Sequence, residues 1–465
     1  MTTSYREEHD SIGTVKVPSS ALWGAQTQRS LINFAIGEDK IPLKLIYALV
    51  IIKKSAAIVN CELEVLSKSH KDLIIHACTK ILKGLHDDQF PLSVWQTGSG
   101  TQTNMNINEV ISNLASIESS NPLGSHQPLH PNDHINLSQS TNDVFPAAIQ
   151  IATSQEICCT LLPEIDLVIN TFEKKINDWD QIVKTGRTHL QDAVPLTLGQ
   201  EASAWKEQLL TARNRLKKSI DELLQLPLGG TAIGTGLNAP SKFDKKIALE
   251  IATSTNLPFT TAKNKFAIMA SHDGLVQVMS QLKMLAISLL KIVNDLRLLS
   301  CGPRAGLGEL LLPANEPGSS IMPGKINPTQ CEAMAMVCTQ VIALDYGVTM
   351  AGSGGHLQMN AYKPLIGFNL LKSIDLLTSA CKSSRLFMLE GLEPNLKNIN
   401  NNLQKSLMLV TSLAPTIGYE KASEIAQYAH TNNLTLKEAA TILDYVGADV
   451  FDQIVDPKKM TGLNI

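Results

Sequence analysis

The chain has 465 residues and is 44% hydrophobic but only 5% aromatic, so its core must come from Leu, Ile, Val, Ala and Met, which suit helices better than sandwiches. Forty basic against 43 acidic side chains leave a net charge of −3, which excludes the basic footprint of a nucleic-acid binder. Eight scattered cysteines with no Cys-x-x-Cys exclude a zinc ribbon or a redox pair and point to a reducing compartment.

The first eighteen residues carry acids early and no apolar core of a signal peptide, and the apolar run Leu45–Ile52 is far short of a membrane span. A soluble, cytoplasmic protein is expected. Helical periodicity then dominates. The length allows an N-terminal domain over 1–139, a central helical-bundle domain over 140–396 and a small C-terminal helical domain over 397–465.

The first punctuation in the helical pattern is Thr97–Asn106, where Ser99, Gly100 and Thr101 precede a helix expected to start near Asn106–Asn108. Such residues cap helices, and a helix N-terminus also offers N–H donors to an anion. Next, His130 and His134 stand at i, i+4 beside Asp133, a spacing that puts both on one helix face. No third ligand accompanies them, so no metal is expected. In Ser138–Pro146, Ser140, Thr141 and Asn142 form another cap, with Pro146 suited to a first turn.

Thr185–Thr197 contains Thr188 and His189, the latter suited to proton transfer near neutral pH. Behind it, Leu198, Ala202, Trp205, Leu209, Ala212, Leu216 and Leu223 keep heptad positions, with Ser219 in one slot. Leu275, Met279, Leu282, Ala286, Leu289, Val293 and Leu296 form an unbroken seam, with a second stripe at Val278, Leu285, Ile292 and Leu299. Met334, Val337, Val341, Leu344 and Val348 give a third. Three such helices predict a central antiparallel bundle with apolar surface for oligomerisation.

Before the third helix, Gly318, Pro323 and Gly324 bracket Ser319 and Ser320, and Lys325 is the cation of the segment. Asn327, Pro328 and Gln330 have the spacing of an N-cap, an N1 proline and a capping box. Glu332 follows, either as a first-turn acid or as the orienter of a histidine. Three helix starts rich in neutral donors plus one lysine suit a small dicarboxylate. A nucleotide fits less well, because no P-loop or strand-embedded GxGxxG is present.

These residues resemble the fumarase/aspartase superfamily. GSSIMPGKINPTQCE looks like its signature loop, and VPSSALWGAQTQRS, WQTGSGTQTNMNINEV, HPNDHINLSQSTNDVFPAA, GRTHLQDAVPLTLGQE and GGTAIGTGLN match in order over nearly the whole chain. Within it, the wording is closer to class II fumarases than to aspartate ammonia-lyases, which remain the alternative. The resemblance implies a mainly α fold of three domains around long antiparallel helices. It implies a homotetramer whose active sites draw on three subunits, and a fumarate–malate step of the tricarboxylic acid cycle without metal or organic cofactor.

By the same resemblance, substrate carboxylates fall among Ser99, Gly100, Thr101, Ser140, Thr141, Asn142, Thr188, Ser320, Lys325, Ile326 and Asn327. Ser319 is the expected base, and His189, oriented by Glu332, the group that helps hydroxide leave. His130, Pro131, Asn132 and Asp133 match a second anion segment. Family members often carry an Arg just before it, whereas Gln127 and Pro128 supply no fixed charge here.

Overall fold

The computed structural model describes residues 4–462, and helices dominate it as expected. The described chain opens with a hairpin of β1 (Tyr5–Asp10) and β2 (Gly13–Pro18). It continues through α1 (Ala25–Asn33), α2 (Leu43–Glu62), α3 (Lys68–Leu82), α4 (Thr101–Glu118), α5 (Thr141–Glu156) and α6 (Leu162–Asp178). A second hairpin of β3 (Val183–Thr188) and β4 (Gln191–Thr197) leads to α7 (Leu198–Ser219), α8 (Phe243–Thr255), α9 (Lys265–Ala270) and α10 (Asp273–Leu299). Then come α11 (Thr329–Ser353), α12 (Lys363–Ser384), α13 (Leu396–Lys405) and further helices between Ala414 and Ile454. Each sheet among the described residues has two strands.

The chain packs into two compact units, neither of them one stretch of sequence. The first comprises the chain through Pro163, Arg213–Ala286 and Thr339–Thr378, and the second comprises Glu164–Ala212, Ile287–Cys338 and the chain from Ser379 on.

In the first unit, α2 packs against α3, α5 and α8. Its burial runs round the helix, through Leu45, Ile46, Leu49, Val50 and Ile52, as an apolar-all-round sequence requires. Lys53 breaks that run and is fully buried, its ammonium donating to Asn136 Oδ1 at 2.9 Å and Gln139 Oε1 at 3.0 Å. At the start of α1 the carboxylate of Glu109 accepts from the N–H groups of Gly24, Gln26 and Thr27. A Cβ on Gly24 would lie 2.7 Å from Glu8 and 2.9 Å from Glu109, so that motif position needs glycine.

In the second unit, Trp205 of α7 is fully buried, 5.9 Å from the ring of Phe172, and donates to Asp295 Oδ2 at 2.9 Å. The residues from Leu403 to Phe451 hold a cluster of their own, with Leu413, Ile425, Ala429 and Ala439 at its centre.

Both apolar stripes of α10 and the α7 heptad are buried within the single chain. On α11 the seam residues Met334, Val341 and Val348 are buried, while Met336, Tyr346 and Met350 are 54–70% exposed. Helices α10 and α11 are long and apolar enough to cross a membrane by length and composition. Lys283 of α10 nevertheless pairs at 2.6 Å with Asp345 of α11, which is buried. Cys78, Cys331, Cys338 and Cys381 are buried, whereas Cys159 and Cys301 are exposed.

Truncating Trp205 to Ala should cost about 3–5 kcal/mol by leaving a cavity against Phe172. Trp205→Phe should cost far less, since mainly the bond to Asp295 is lost. Urea midpoints of the two variants check this, and equal midpoints would mean that the indole does not fill a packed core.

Candidate active site

The first unit carries two of the anticipated helix starts. Helix α4 begins at Thr101, five residues earlier than the sequence suggested. Gly100 takes φ +80° at its N-cap, and a Cβ there would strike the Phe145 ring at 2.4 Å. Gly98 is as constrained, since a Cβ would lie 1.5 Å from the Ala361 carbonyl oxygen. Gln96 supplies the cap instead of the loop hydroxyls, accepting from Thr103 N–H at 3.2 Å and its hydroxyl at 2.9 Å. This leaves Ser99 Oγ and Thr101 Oγ1 2.8 Å apart, bonded to each other.

The start expected at Asn106–Asn108 is wrong because those amides sit inside the helix. Asn104, Asn106 and Asn108 are buried. Asn104 Nδ2 donates to Thr141 Oγ1 at 3.0 Å and to Asn136 Oδ1 at 3.1 Å, which ties α4 to the start of α5.

That second start is a capping box of Ser140 and Asp143. Asp143 is fully buried. Its Oδ1 accepts from Ser140 N–H at 3.0 Å, and its Oδ2 accepts from Gly229 N–H at 3.0 Å and Thr231 N–H at 2.8 Å. Burial pushes its carboxyl up to about 7 against those three donors and Lys53. Asn142 Nδ2 donates to the Ala232 carbonyl at 2.8 Å. Pro146 is inside α5 rather than in its first turn, so the Asn142 carbonyl gains no N–H from it.

The stretch from His130 forms a wide turn over Pro131–Ile135, not a helix face presenting two histidines. His130 Nδ1 accepts from Asp133 N–H at 3.1 Å, and His134 Nδ1 accepts from His130 N–H at 2.8 Å. Both Nδ1 atoms thus face backbone N–H groups, and His130 Nδ1 also lies 3.2 Å from the Asp133 carboxylate. His126 and His130 meet edge to face at 5.1 Å, and His70 and His134 at 4.2 Å. Burial and the neighbouring His70 hold the His134 ring below the ordinary histidine range. Asn132 and Asp133 line a cavity of about 530 Å³ together with Ser140, Thr231 and Asn238, so this segment and the cap at Ser140 share one opening.

The second unit carries the other half of the candidates. Thr188 and His189 lie at the tip of the β3–β4 hairpin, whose strands the sequence did not signal. Its two-residue turn puts His189 at φ +56° and Leu190 at φ +61°. Such turns favour Asn-Gly, so His-Leu is strained, by about 1–3 kcal/mol per residue. The hairpin is held by Arg187, whose guanidinium forks onto Glu309 at 2.7 and 3.0 Å. Lys184 pairs with Glu309 at 3.2 Å and with Glu201 at 3.0 Å, and Asn402 Nδ2 donates to Glu309 at 3.0 Å. Burial alone would raise the fully buried Glu309 carboxyl, but Arg187, Lys184 and Asn402 hold it below the usual range.

The loop after Glu316 folds back on itself. Gly318 N–H donates to the Lys325 carbonyl at 3.0 Å, Asn327 Nδ2 donates to the Gly318 carbonyl, and Gly324 turns at φ +80°. A Cβ on Gly318 would lie 2.1 Å from the Lys325 oxygen. Inside this ring the Ser319 hydroxyl accepts from Met322 N–H at 3.0 Å and Ile321 N–H at 3.3 Å. Ser320, Lys325 and Ile326 are exposed.

Asn327 does not cap α11, because its amide closes the loop. The capping box is also absent, since Gln330 Oε1 accepts from Ser383 at 3.0 Å. Glu332 is exposed in the first turn of α11, and no hydrogen bond joins it to His189 among the described residues. Asp143, Gln96, Arg187 and Glu309 were not anticipated. Only the capping-box spacing of Ser140 and Asp143 could have signalled any of them.

Comparison with known proteins places this arrangement among the lyases. The family described as Lyase matches residues 13–343, and the family described as Fumarase C C-terminus matches residues 409–462. "Fumarate hydratase class II" of Prochlorococcus marinus is 74% identical over the full length of both chains. A second Prochlorococcus marinus strain has a protein of that name that is 64% identical over 99% of each. The crystal structure of the recombinant class II fumarase from Schistosoma mansoni superposes with a TM-score of 0.96 at 41% identity, covering 98% of this chain and 99% of that one. The chain belongs to the class II fumarate hydratase family.

Glu309→Ala should destabilise the second unit by about 3–5 kcal/mol at pH 7, because Arg187 and Lys184 would stay buried without their partner. Since the native carboxyl titrates below its unfolded value, its contribution is present above the ordinary carboxylate range. It is lost as the pH falls through the depressed native value. Guanidinium unfolding at pH 7 and pH 4 checks this. An Ala variant as stable as the wild type at pH 7 would rule out Glu309 as the anchor.

Proposed function

We infer that the chain is a hydro-lyase that interconverts fumarate and L-malate. Family membership supports the activity, and the relatives do not favour the ammonia-lyase alternative. The observation that carries the chemistry is the Ser319 hydroxyl held under two loop N–H groups. A serine is a poor base unless its alkoxide is stabilised, and preorganised backbone donors do that.

In the malate direction the Ser319 alkoxide takes the C3 proton. The electron pair moves into the adjacent carboxylate and then forms the C2–C3 double bond as the C2–O bond breaks. The hydroxyl leaves as water with a proton from His189 relayed through a water, and Glu332 orients that histidine. Charge growing on the carboxylate is met by neutral donors of Ser99–Thr101, Ser140–Asn142, Thr188, Ser320 and Asn327 and by the cation of Lys325, with the Ile326 backbone beside it. The segment His130–Asp133 serves as a second anion site, weakened by the lack of a fixed charge at Gln127 and Pro128.

Ser99–Thr101 and Ser140–Asn142 belong to the first unit, whereas Thr188, His189 and the Ser319 loop belong to the second. We take each site to be completed across a homotetramer, with the exposed apolar face of α11 buried between subunits. We propose that the enzyme works in the cytoplasm, in the tricarboxylic acid cycle.

Ser319→Ala should lower kcat by about 10³-fold while still binding succinate, because only a transition-state group is removed. Ser320→Ala should mainly raise KM. Ser320 is exposed and Ser319 only half-buried in a surface loop, so neither change threatens folding. Malate-to-fumarate kinetics followed by alkene absorbance decide the matter, and near-normal kcat in Ser319→Ala removes it as the base. Aspartate should be inert in the same assay.

Light scattering should give four times the chain mass. Coexpressing Asn142→Ala with Ser319→Ala should restore part of the activity that each lacks alone. A monomeric mass, or hybrids without activity, would contradict shared sites.

A further inference from the structure

Lys363 opens α12 in the first unit and is fully buried, yet its ammonium has no hydrogen-bond partner among the described residues. Lysines of this kind normally extend their heads to water. A buried cation without a contact partner is therefore costly unless something else uses its charge.

Its position suggests what does. The Lys363 N–H donates to the Gly98 carbonyl at 3.1 Å, so the start of α12 is pinned to the segment that ends in Ser99, Gly100 and Thr101. Gly98 lies so close to Ala361 that no side chain fits between them. On its other side, the ammonium is within electrostatic reach of Asp143, the carboxylate that fixes Ser140–Asn142.

The charged and titratable groups around it can be counted. Asp143 of α5 acts on Lys363, and Lys363 in turn acts on His272, just before α10. Lys53 of α2 acts on Asp143, and Asp273 acts on His272. Burial and Lys363 push the His272 ring down to about 3, so it stays neutral. Two buried lysines therefore face one buried aspartate. Neutralising Asp143 does not require Lys363, because Lys53 is there already and Lys363 makes no ion pair with it among the described residues. The surplus is one buried positive charge within electrostatic reach of Asp143, on a residue whose backbone is pinned to Gly98.

We propose that Lys363 is a positioning residue for the dicarboxylate. Its unpaired buried ammonium supplies the potential that holds a substrate carboxylate at Ser99–Thr101 and Ser140–Asn142 without touching it. This rests on the dicarboxylate reading of those segments. Burial brings the Lys363 ammonium down to about 8, against Asp143. Since only the protonated form attracts a dianion, affinity should fall as the pH rises through that region. Lys53, brought to about 7, and Asp143 titrate nearby, so the macroscopic steps belong to the cluster, and variants assign them.

The test is the succinate inhibition constant and the KM–kcat split for malate between pH 6 and 9.5, in the wild type, Lys363→Met, Lys363→Arg and Asn142→Ala. Lys363→Met should raise the inhibition constant and KM by about tenfold at pH 7, with kcat nearly unchanged, the scale of one partly screened charge. The loss of affinity around pH 8 should vanish in that variant. Lys363→Arg should keep tight binding and move the loss out of the range. Should Lys363→Met not fold, a limb that persists near pH 8 in Lys363→Arg overturns the proposal. So does wild-type succinate binding in Lys363→Met while Asn142→Ala is weakened. A wild type that does not bind succinate at all defeats the dicarboxylate reading itself, and the inference with it.

Discussion

The buried carboxylate of Asp143 is the interaction on which the first half of the site depends. Three backbone N–H groups converge on it, from Ser140, Gly229 and Thr231, and they come from segments nearly ninety residues apart. A single side chain thus caps α5, shapes the loop after Leu228 and sets where Asn142 meets Ala232. Unpaired, those N–H groups would be costly to bury, and unpaired, the carboxylate would be costlier still. The burial of each is tolerable only because of the other.

The second half is built on the opposite balance. Its candidate residues Thr188 and His189 are exposed and its backbone is strained, with His189 and Leu190 both at positive φ. Strain of that kind survives only when the surroundings over-determine it. Here the fork of Arg187 on Glu309, backed by Lys184 and Asn402, fixes the strands while their tip faces outward. The Ser319 loop gains its shape from its own backbone, closed between Gly318 and Lys325, so its hydroxyl is fixed relative to two donors without being buried.

Both halves handle charge in the same economical way. The chain is slightly acidic overall, so a dianion cannot be drawn by net charge. The candidate donors are neutral groups at helix starts; Lys325 is exposed in the loop, and Lys363 is buried without a hydrogen-bond partner among the described residues.

What the sequence determined by itself was whatever rests on period and local chemistry. The heptads of α7 and α10 mark core faces because a helix repeats every 3.6 residues, and those positions are buried. The cap at Ser140 follows from a box of neighbouring residues, and the glycines of the Ser319 loop announce its turns. The failures were local patterns overridden by distant partners. Asn104, Asn106 and Asn108 look like cap residues but lie within α4, where their Nδ2 groups donate to Asn136, Thr141 and the Gln89 carbonyl. Asn327 and Gln330 have capping-box spacing but spend their side chains on Gly318 and Ser383. The hairpin of His189 carries no turn signature, because Glu309, more than a hundred residues away, holds it. Tertiary structure alone decided which buried charges meet, since the energy of a buried charge depends on partners that spacing along the chain does not reveal.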